Sequence, residues 1–430
     1  MKQVLQSLKN GAIEVAELPC PMVRPGHLLI QTSTTLISAG TERMLVEFGQ
    51  AGWIAKARSQ PEKVRQVLQK IKTDGLMPTL ETVFARLDEP LPLGYCNAGR
   101  VVAVGKGVEG FNVGDRVASN GPHAEMVCVP STLCAKIPDE VDDAAASFTV
   151  LGSISLHGVR LLQPTLGENF AVIGMGLLGL VAAQLLRANG CNVIGIDVNR
   201  ARCDMARAYG CEAACIADGA DPVQAALAFS GGHGVDGVLV CASAKTDEIM
   251  HQAAMMSRKR GRIVLVGVVG LNLRRGDFYE KELTFQVSCS YGPGRYDPTY
   301  EQQARDYPRP YIRWTEGRNF DAMLDAMKQK RIDVGQMITK RFAHADSQQA
   351  YDAVVNDNSV LGIVLDYPQQ PTPDARTIRM GKVRNAASAA TKPLVGVIGA
   401  GNFTKLVLLP AIKAAGAPLK AVASAGGVTG

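Results

Sequence analysis

The sequence predicts an α/β protein in which a doubly wound parallel sheet follows an all-β module, and three observations predict it. A glycine-rich turn stands between an apolar strand and an apolar helix in AVIGMGLLGLVAAQLL, residues 171–186. Apolar strands alternate with helical segments from about 151 to 290, which implies βαβ units. The first 150 residues read instead as short strands separated by turns. A chain of 430 residues exceeds what a single core supports, so several domains are expected.

In order along the chain, 1–150 carries the strands LLIQTST, GRVVAVGKGV and AEMVCVP with the turn FNVGDRV. This module is interrupted at 43–88, where WIAKARSQPEKVRQVLQKIKTDG and PTLETVFARL place apolar residues at helical spacing. The insertion is read as a lid, a subunit contact or a packed insertion without direct function. The 151–290 segment runs FAVIGMG, LLGLVAAQLLRANG, NVIGID, RARCDMARAYG, GVDGVLVCAS and RIVLVGV. Residues 291–368 form a return segment with a helix at NFDAMLDAMKQKR and a closing strand LGIVLDY. A Pro-, Ser- and charge-rich linker is expected at 369–392, before a second βαβ text at 393–430 with Gly399 and Gly401.

Composition excludes several classes. No apolar run reaches the roughly 18 residues that span a bilayer, and the N-terminus MKQVLQSLKNGAIEVAELP has no continuous signal-peptide core, so a cytoplasmic protein without a membrane partner is expected. The net charge of +6 is spread over 46 basic and 40 acidic side chains, too dilute to argue for nucleic acid. Ten cysteines are scattered without paired Cys-x-x-Cys spacing, which predicts reduced thiols. The densest basic run, Arg258 to Arg262 (RKRGR), is read as closing a helix, where cations complement its dipole.

The glycine turn specifies a ligand. Gly174 permits a tight turn, Gly176 lets backbone approach a pyrophosphate, and Gly179 lets the helix pack on the strand. Leu177 and Leu178 complete the turn at the helix N-terminus that would meet the phosphates. The next strand ends in Asp197, 18 residues beyond Gly179, where a carboxylate binds a ribose diol and repels a 2′-phosphate. NAD is therefore predicted, with Asn199 beside it and Arg200 leaving NADP open; helix capping by Asp197 is the alternative reading.

The order of β module, GDRV turn, AVIGMG unit and LGIVLDY return resembles the medium-chain dehydrogenase/reductase superfamily over roughly 1–368. The resemblance implies a GroES-like β-barrel-type domain followed by a Rossmann sheet. Closer still, ISAGTERMLVEFG, PLGYCNAGRVVAVG and GDFYEKELTFQVSCSYGPGRYDP look like the bi-domain oxidoreductases associated with polysaccharide biosynthesis, with bacteriochlorophyllide dehydrogenases more distant. The 394–424 text resembles the start of a glucose-fructose oxidoreductase-type half that this chain does not complete; its third glycine is replaced by Thr404, and its second strand ends at Ser424, which favours NADP there.

Where zinc-dependent members have Cys-Gly-Thr-Asp and Gly-His-Glu, this chain has Ala39-Gly40-Thr41-Glu42 and Gly94-Tyr95-Cys96. The third ligand position falls near Thr149, and only SNGPHAEMVCVP stands where a four-cysteine lobe is expected. No zinc is predicted. Lewis-acid polarisation must then be replaced by hydrogen-bond donors, for which Thr41 and Tyr95 are the candidates, Tyr95 being open also to a core role. Cys96 lacks an activating base, and His157 reads as structural. Glu42, Lys281 and Arg295 either line the substrate cleft or form surface ion pairs.

The resemblance implies a zinc-independent enzyme, a nicotinamide-dependent dehydrogenase or reductase acting on a carbonyl or alcohol, including a sugar or sugar nucleotide. The alternatives are an enoyl or quinone reductase of the same fold and a catalytically inactive nucleotide-binding regulatory subunit. A small-molecule substrate is expected, and a homodimer joined through strands near 263–268 and 284–289.

Overall fold

A computed structural model describes residues 1–7, 10–50, 90–368, 377–378, 394–401 and 403–424. Nearly all of the expected helical insertion and of the linker lies outside them.

The N-terminal half is built on β3 (His27–Ser38), a 12-residue strand rich in β-branched side chains. Before it, β1 (Lys2–Gln6) and β2 (Ile13–Glu17) pair antiparallel, and β4 (Leu91–Pro92) joins β1 on its other side. The strands β5 (Asn97–Val104), β6 (Arg116–Ser119), β7 (Met126–Pro130) and β8 (Cys134–Lys136) follow, with β5 and β7 both antiparallel to β3. Helix α1 (Ala39–Gln50) leaves directly from the end of β3. The chain therefore turns from strand to helix at the Ala39-Gly40-Thr41-Glu42 segment.

Helix α2 (Thr149–Leu162) carries the chain across to the second sheet and is buried along most of its length. His157 lies in its third turn. The second sheet comprises β9 (Asn169–Ile173), β10 (Asn192–Asp197), β11 (Glu212–Cys215), β12 (Val235–Val240), β13 (Ser257–Leu265) and β14 (Thr284–Val287), in the spatial order β11-β10-β9-β12-β13-β14. Every pairing is parallel, so the order steps outward from β9 in both directions, as in a doubly wound dinucleotide-binding sheet. Helices α3 (Leu177–Ala188), α4 (Arg200–Ala208), α5 (Pro222–Phe229) and α6 (Glu248–Met256) are the crossovers. The continuously apolar strands follow from burial on both faces: Phe170, Ala171 and Val172 of β9 are each 0% exposed.

The basic run RKRGR does not close a helix. Helix α6 ends at Met256, and β13 already begins at Ser257, with Arg260 at a left-handed φ of 60°. Arg258 and Arg262 turn to Asp236 and Glu168 instead. The α6 carbonyls are taken by Lys281, whose Nζ donates to Ala254, Met255 and Ser257 oxygens at 2.9, 2.7 and 2.8 Å. Lys281 therefore serves backbone carbonyls and makes no ion pair among the described residues.

Helices α7 (Glu316–Lys328) and α8 (Ser347–Asn356) lead into β15 (Ile338–Ala343) and β16 (Gly362–Asp366) on either side of α8. β16 pairs antiparallel with β3, so the end of this segment completes the first sheet. One core cluster runs from Leu28 and Ile30 through Phe148 and Leu151 to Phe170 and Met323, tying the two halves together. No helix among the described residues is long and apolar enough to cross a membrane, and all ten thiols are free.

The second βαβ unit has β17 (Val395–Ile398) parallel to β18 (Leu419–Ala423), with helix α9 (Leu409–Ala414) between them. Among the described residues little covers it: Ile398 is 94% exposed and Phe403 69%. A parallel pair with such open faces buries too little to be stable alone.

Candidate functional site

The end of β9, the start of α3 and the end of β10 converge on one turn. Gly174 has φ of 92°, and a Cβ there would lie 2.6 Å from the Ala242 amide nitrogen. At Gly179 a Cβ would stand 1.9 Å from the Gly174 carbonyl oxygen, so only glycine lets the helix sit this close. Gly176, the N-cap of α3, faces open space and has no side chain to satisfy the first amides of Leu177, Leu178 and Gly179. Those free donors and the helix dipole suit an anion. The Leu178 carbonyl accepts from Ser155 Oγ at 2.9 Å, which anchors the turn to α2.

Asp197 is 6% exposed and does not cap a helix. Its Oδ2 accepts the Met175 amide at 2.7 Å and its Oδ1 the Asn199 amide at 2.8 Å, which fixes the carboxylate against the glycine turn. The cap of α4 is Asn199, whose Oδ1 accepts from Ala201 and Arg202 amides. Arg200 is drawn away to Asp218, 2.5 Å from its Oδ1. Arg202, at 4.0 Å, is the nearer cation to Asp197 and was not expected from the sequence.

The second group forms where β3 runs into α1. Tyr95, half-buried, points its hydroxyl at Thr41 Oγ1, 3.4 Å away. Burial foremost, with Cys96 and Glu42 beside it, holds the Tyr95 hydroxyl far above its ordinary range, so it stays protonated. Cys96 is raised in the same way by burial and Glu42, which leaves it an inert thiol rather than a nucleophile.

Glu42 lines no cleft, being 0% exposed. Its carboxylate accepts the Ser38 amide at 3.1 Å, meets His123 Nε2 at 3.2 Å, and takes a short hydrogen bond from the Tyr351 hydroxyl. His123 Nδ1 continues to Thr35 Oγ1 at 2.7 Å. Gly94, at φ of 89°, rests on the His123 ring, since a Cβ would come within 2.5 Å of it. The Thr41 and Tyr95 segments are thus both seated on one buried polar cluster. Sequence reading missed His123, Thr35 and Tyr351; the signal available was an acid in an otherwise apolar strand-to-helix junction.

Arg295 is not a lone cleft residue either. It pairs with Glu301 and lies over the Tyr291 and Tyr296 rings. Tyr291 accepts from Asn120 Nδ2 at 3.4 Å, which links this loop to the end of β6.

Comparison with known proteins agrees with the fold. Residues 65–139 match the family of the alcohol dehydrogenase GroES-like domain, and residues 178–306 match that of the zinc-binding dehydrogenases. A sorbitol dehydrogenase of Halalkalibacterium halodurans is 23% identical over 63% of this chain and 82% of its own length. The (R,R)-butanediol dehydrogenase of Bacillus subtilis is 24% identical over 66% of this chain and 85% of its length. Among solved structures, an alcohol dehydrogenase from Thermus sp. ATN1 superimposes with a TM-score of 0.65 at 19% identity, covering 86% of this chain and all of the other.

The zinc that the second family's description implies does not fit the residues here. Ala39 offers no ligand atom, Tyr95 is a protonated phenol turned to Thr41, and Thr149 Oγ1 donates to the Ala146 carbonyl at 2.7 Å. Among the described residues no group of three His, Cys, Asp or Glu side chains is placed to hold a metal. In fold, and over the two matched segments, the chain is similar to the alcohol dehydrogenases of the medium-chain dehydrogenase/reductase superfamily.

Proposed function

We propose that this oxidoreductase is zinc-independent and NAD-linked, and that it interconverts a carbonyl and an alcohol on a polyol- or sugar-like substrate. The observation that carries this reading is the Tyr95–Thr41 hydroxyl contact, with Tyr95 standing where the resemblance implies a metal ligand in zinc-dependent members. Support for the substrate class comes from relatives named "Sorbitol dehydrogenase" and "Probable D-xylulose reductase A". Solved neighbours bound to NADP and to NADH support a nicotinamide cofactor.

The cofactor, when bound, supplies or accepts the hydride. The chain's own residues do the rest. Gly174, Gly176, Leu177, Leu178 and Gly179 receive the pyrophosphate at the α3 N-terminus, and Asp197 receives the ribose diol. Tyr95, protonated at rest, donates its proton to the substrate oxygen as charge develops on it, and Thr41 Oγ1, in contact with the phenol, returns a proton to it from solvent. With Arg200 held by Asp218 and the Asp197 carboxylate facing the ribose, NADH is expected to bind about tenfold or more tightly than NADPH. Fluorescence titration with both cofactors checks this, and tighter NADPH binding reverses the assignment. The exposed edge strand β14 is the proposed seam of a homodimer.

The deciding experiment is Thr41→Val assayed on aldehydes, ketones, enones and sugars with chelator-treated enzyme. Carbonyl reduction should fall about hundredfold, in the range for losing a positioned proton donor, while untreated and chelator-treated wild type behave alike. Retained enone reduction with no carbonyl activity in the wild type would instead assign a double-bond reductase. NADH binding without turnover of any substrate would assign a regulatory subunit.

A further inference from the structure

The loop after β14 folds back over α2 and presents polar groups that the proposed chemistry leaves unused. At its centre Trp314 is clamped by two arginines: Arg160 Cζ lies 3.4 Å from the ring and Arg313 Cζ 3.7 Å. At those distances two guanidinium groups on one face would overlap, so they cover opposite faces of the indole. Stacking occupies the faces of each guanidinium and leaves its N–H edge free in the plane.

Neither arginine has a carboxylate partner among the described residues. Arg160 uses only Nε, donating to Asn319 Oδ1 at 3.0 Å. The contrast within the same loop is informative, because Arg295 and Arg318 are paired with Glu301 and Asp306. Burial and the charge of Arg313 lower the Arg160 guanidinium to about 10, and burial with Arg160 lowers the neighbouring His157. Three basic side chains thus share a half-buried spot with no acid to balance them.

The spot is separate from the nucleotide turn. Ser155, which anchors that turn, and Arg160 are five residues apart on α2, about 140° around the helix. It also reaches the seam between the two halves. Asn319, which holds Arg160, donates from Nδ2 to the Tyr291 carbonyl at 2.9 Å, and the Tyr291 hydroxyl meets Asn120.

We propose that Arg160 and Arg313, one on each face of Trp314, bind a phosphoryl group, since two neighbouring guanidinium groups without a counter-ion offer the charge and N–H donors that its oxygens accept. The group is either the phosphate of a substrate or free phosphate, and the two are separable by experiment. The proposal does not depend on the hydride-transfer reading.

Trp314 is its own reporter. The chain has two tryptophans, so Trp53→Phe leaves Trp314 as the sole emitter. In that background, titration with inorganic phosphate at constant ionic strength should give a saturable change in emission. Affinity should drop about tenfold or more in Arg313→Gln and further in Arg160→Gln/Arg313→Gln. Arg313 is exposed and, among the described residues, makes no hydrogen bond or ion pair beyond its stacking on Trp314, so its variant does not confuse binding with misfolding. No saturable response, an equal response to chloride, or unchanged affinity in Arg313→Gln overturns the proposal, as does displacement of phosphate by NADH. Glucose 1-phosphate binding at least tenfold tighter than phosphate assigns the site to a substrate; equal affinity assigns it to free phosphate.

Discussion

Replacing Gly179 by alanine should abolish cofactor binding and lower stability by about 3 kcal/mol or more. The added Cβ would lie 1.9 Å from the Gly174 carbonyl oxygen and 3.0 Å from its carbonyl carbon, and both are backbone. No rotamer change relieves that clash, so either α3 lifts off β9 or the turn opens. Either movement shifts the Met175 amide away from Asp197 Oδ2 and the free α3 amides away from their common focus. Gly176→Ala is the matched control. Gly176 has φ of −74°, and a Cβ there would have nothing within 4 Å, so its variant should keep full stability while weakening NADH binding through occupied space. Urea unfolding and NADH titration of both variants separate the two effects, and a Gly179→Ala protein of undiminished stability would contradict the packing account. The second glycine turn shows how a chain accommodates a larger residue there. Thr404 stands in the third position, its Oγ1 donates to the Gly399 carbonyl at 2.6 Å, and the helix opens as a π-helical turn over Thr404–Leu408.

The glycine turn and the alternation around it were legible because their determinants are local: three glycines within six residues, and strands that are apolar throughout. The reaction centre was only half legible. Thr41 and Tyr95 stood out through the residues they replace, but the cluster beneath them did not, because Glu42 finds His123 81 residues away and Tyr351 309 residues away. Charge was the least readable feature. RKRGR has the composition of a helix end, yet strand pairing claimed Ser257 onward, and the carbonyls those cations would have served went to Lys281. Its neighbours in the sequence give no sign of that role, since it depends on α6 and the 281 turn meeting in space. Arg295 was noticed as polar, but its ring contacts and its pairing with Glu301 follow from a loop whose path no periodicity encodes.

The helix that follows that loop hides an uncompensated acid at its start, and Glu316→Gln should stabilise the protein increasingly as pH rises. Glu316 is 0% exposed, and neither of its carboxylate oxygens has a hydrogen-bond partner among the described residues. Burial first, and Glu301 second, raise its carboxyl to about 8 from 4.5, against an opposing pull from Arg295. A carboxyl whose folded-state value is raised holds its proton in the native state after the unfolded chain has released it, so stability is greatest below 4.5 and falls as pH climbs toward 8. At about 1.4 kcal/mol per pH unit, the cost across this window reaches about 5 kcal/mol, and it becomes constant above it. Glutamine keeps the shape of the protonated acid and cannot ionise. Variant and wild type should therefore unfold at similar denaturant concentrations at pH 5, diverge steadily to about pH 8 and keep a constant difference above it, with the variant the more stable. A difference that stays flat with pH would mean that Glu316 is ionised in the folded protein, with Arg295 closing on it as a partner. Tyr291, which feels both Glu316 and Arg295 and meets Asn120 from the other half, would then be held by an ion pair instead of a neutral acid.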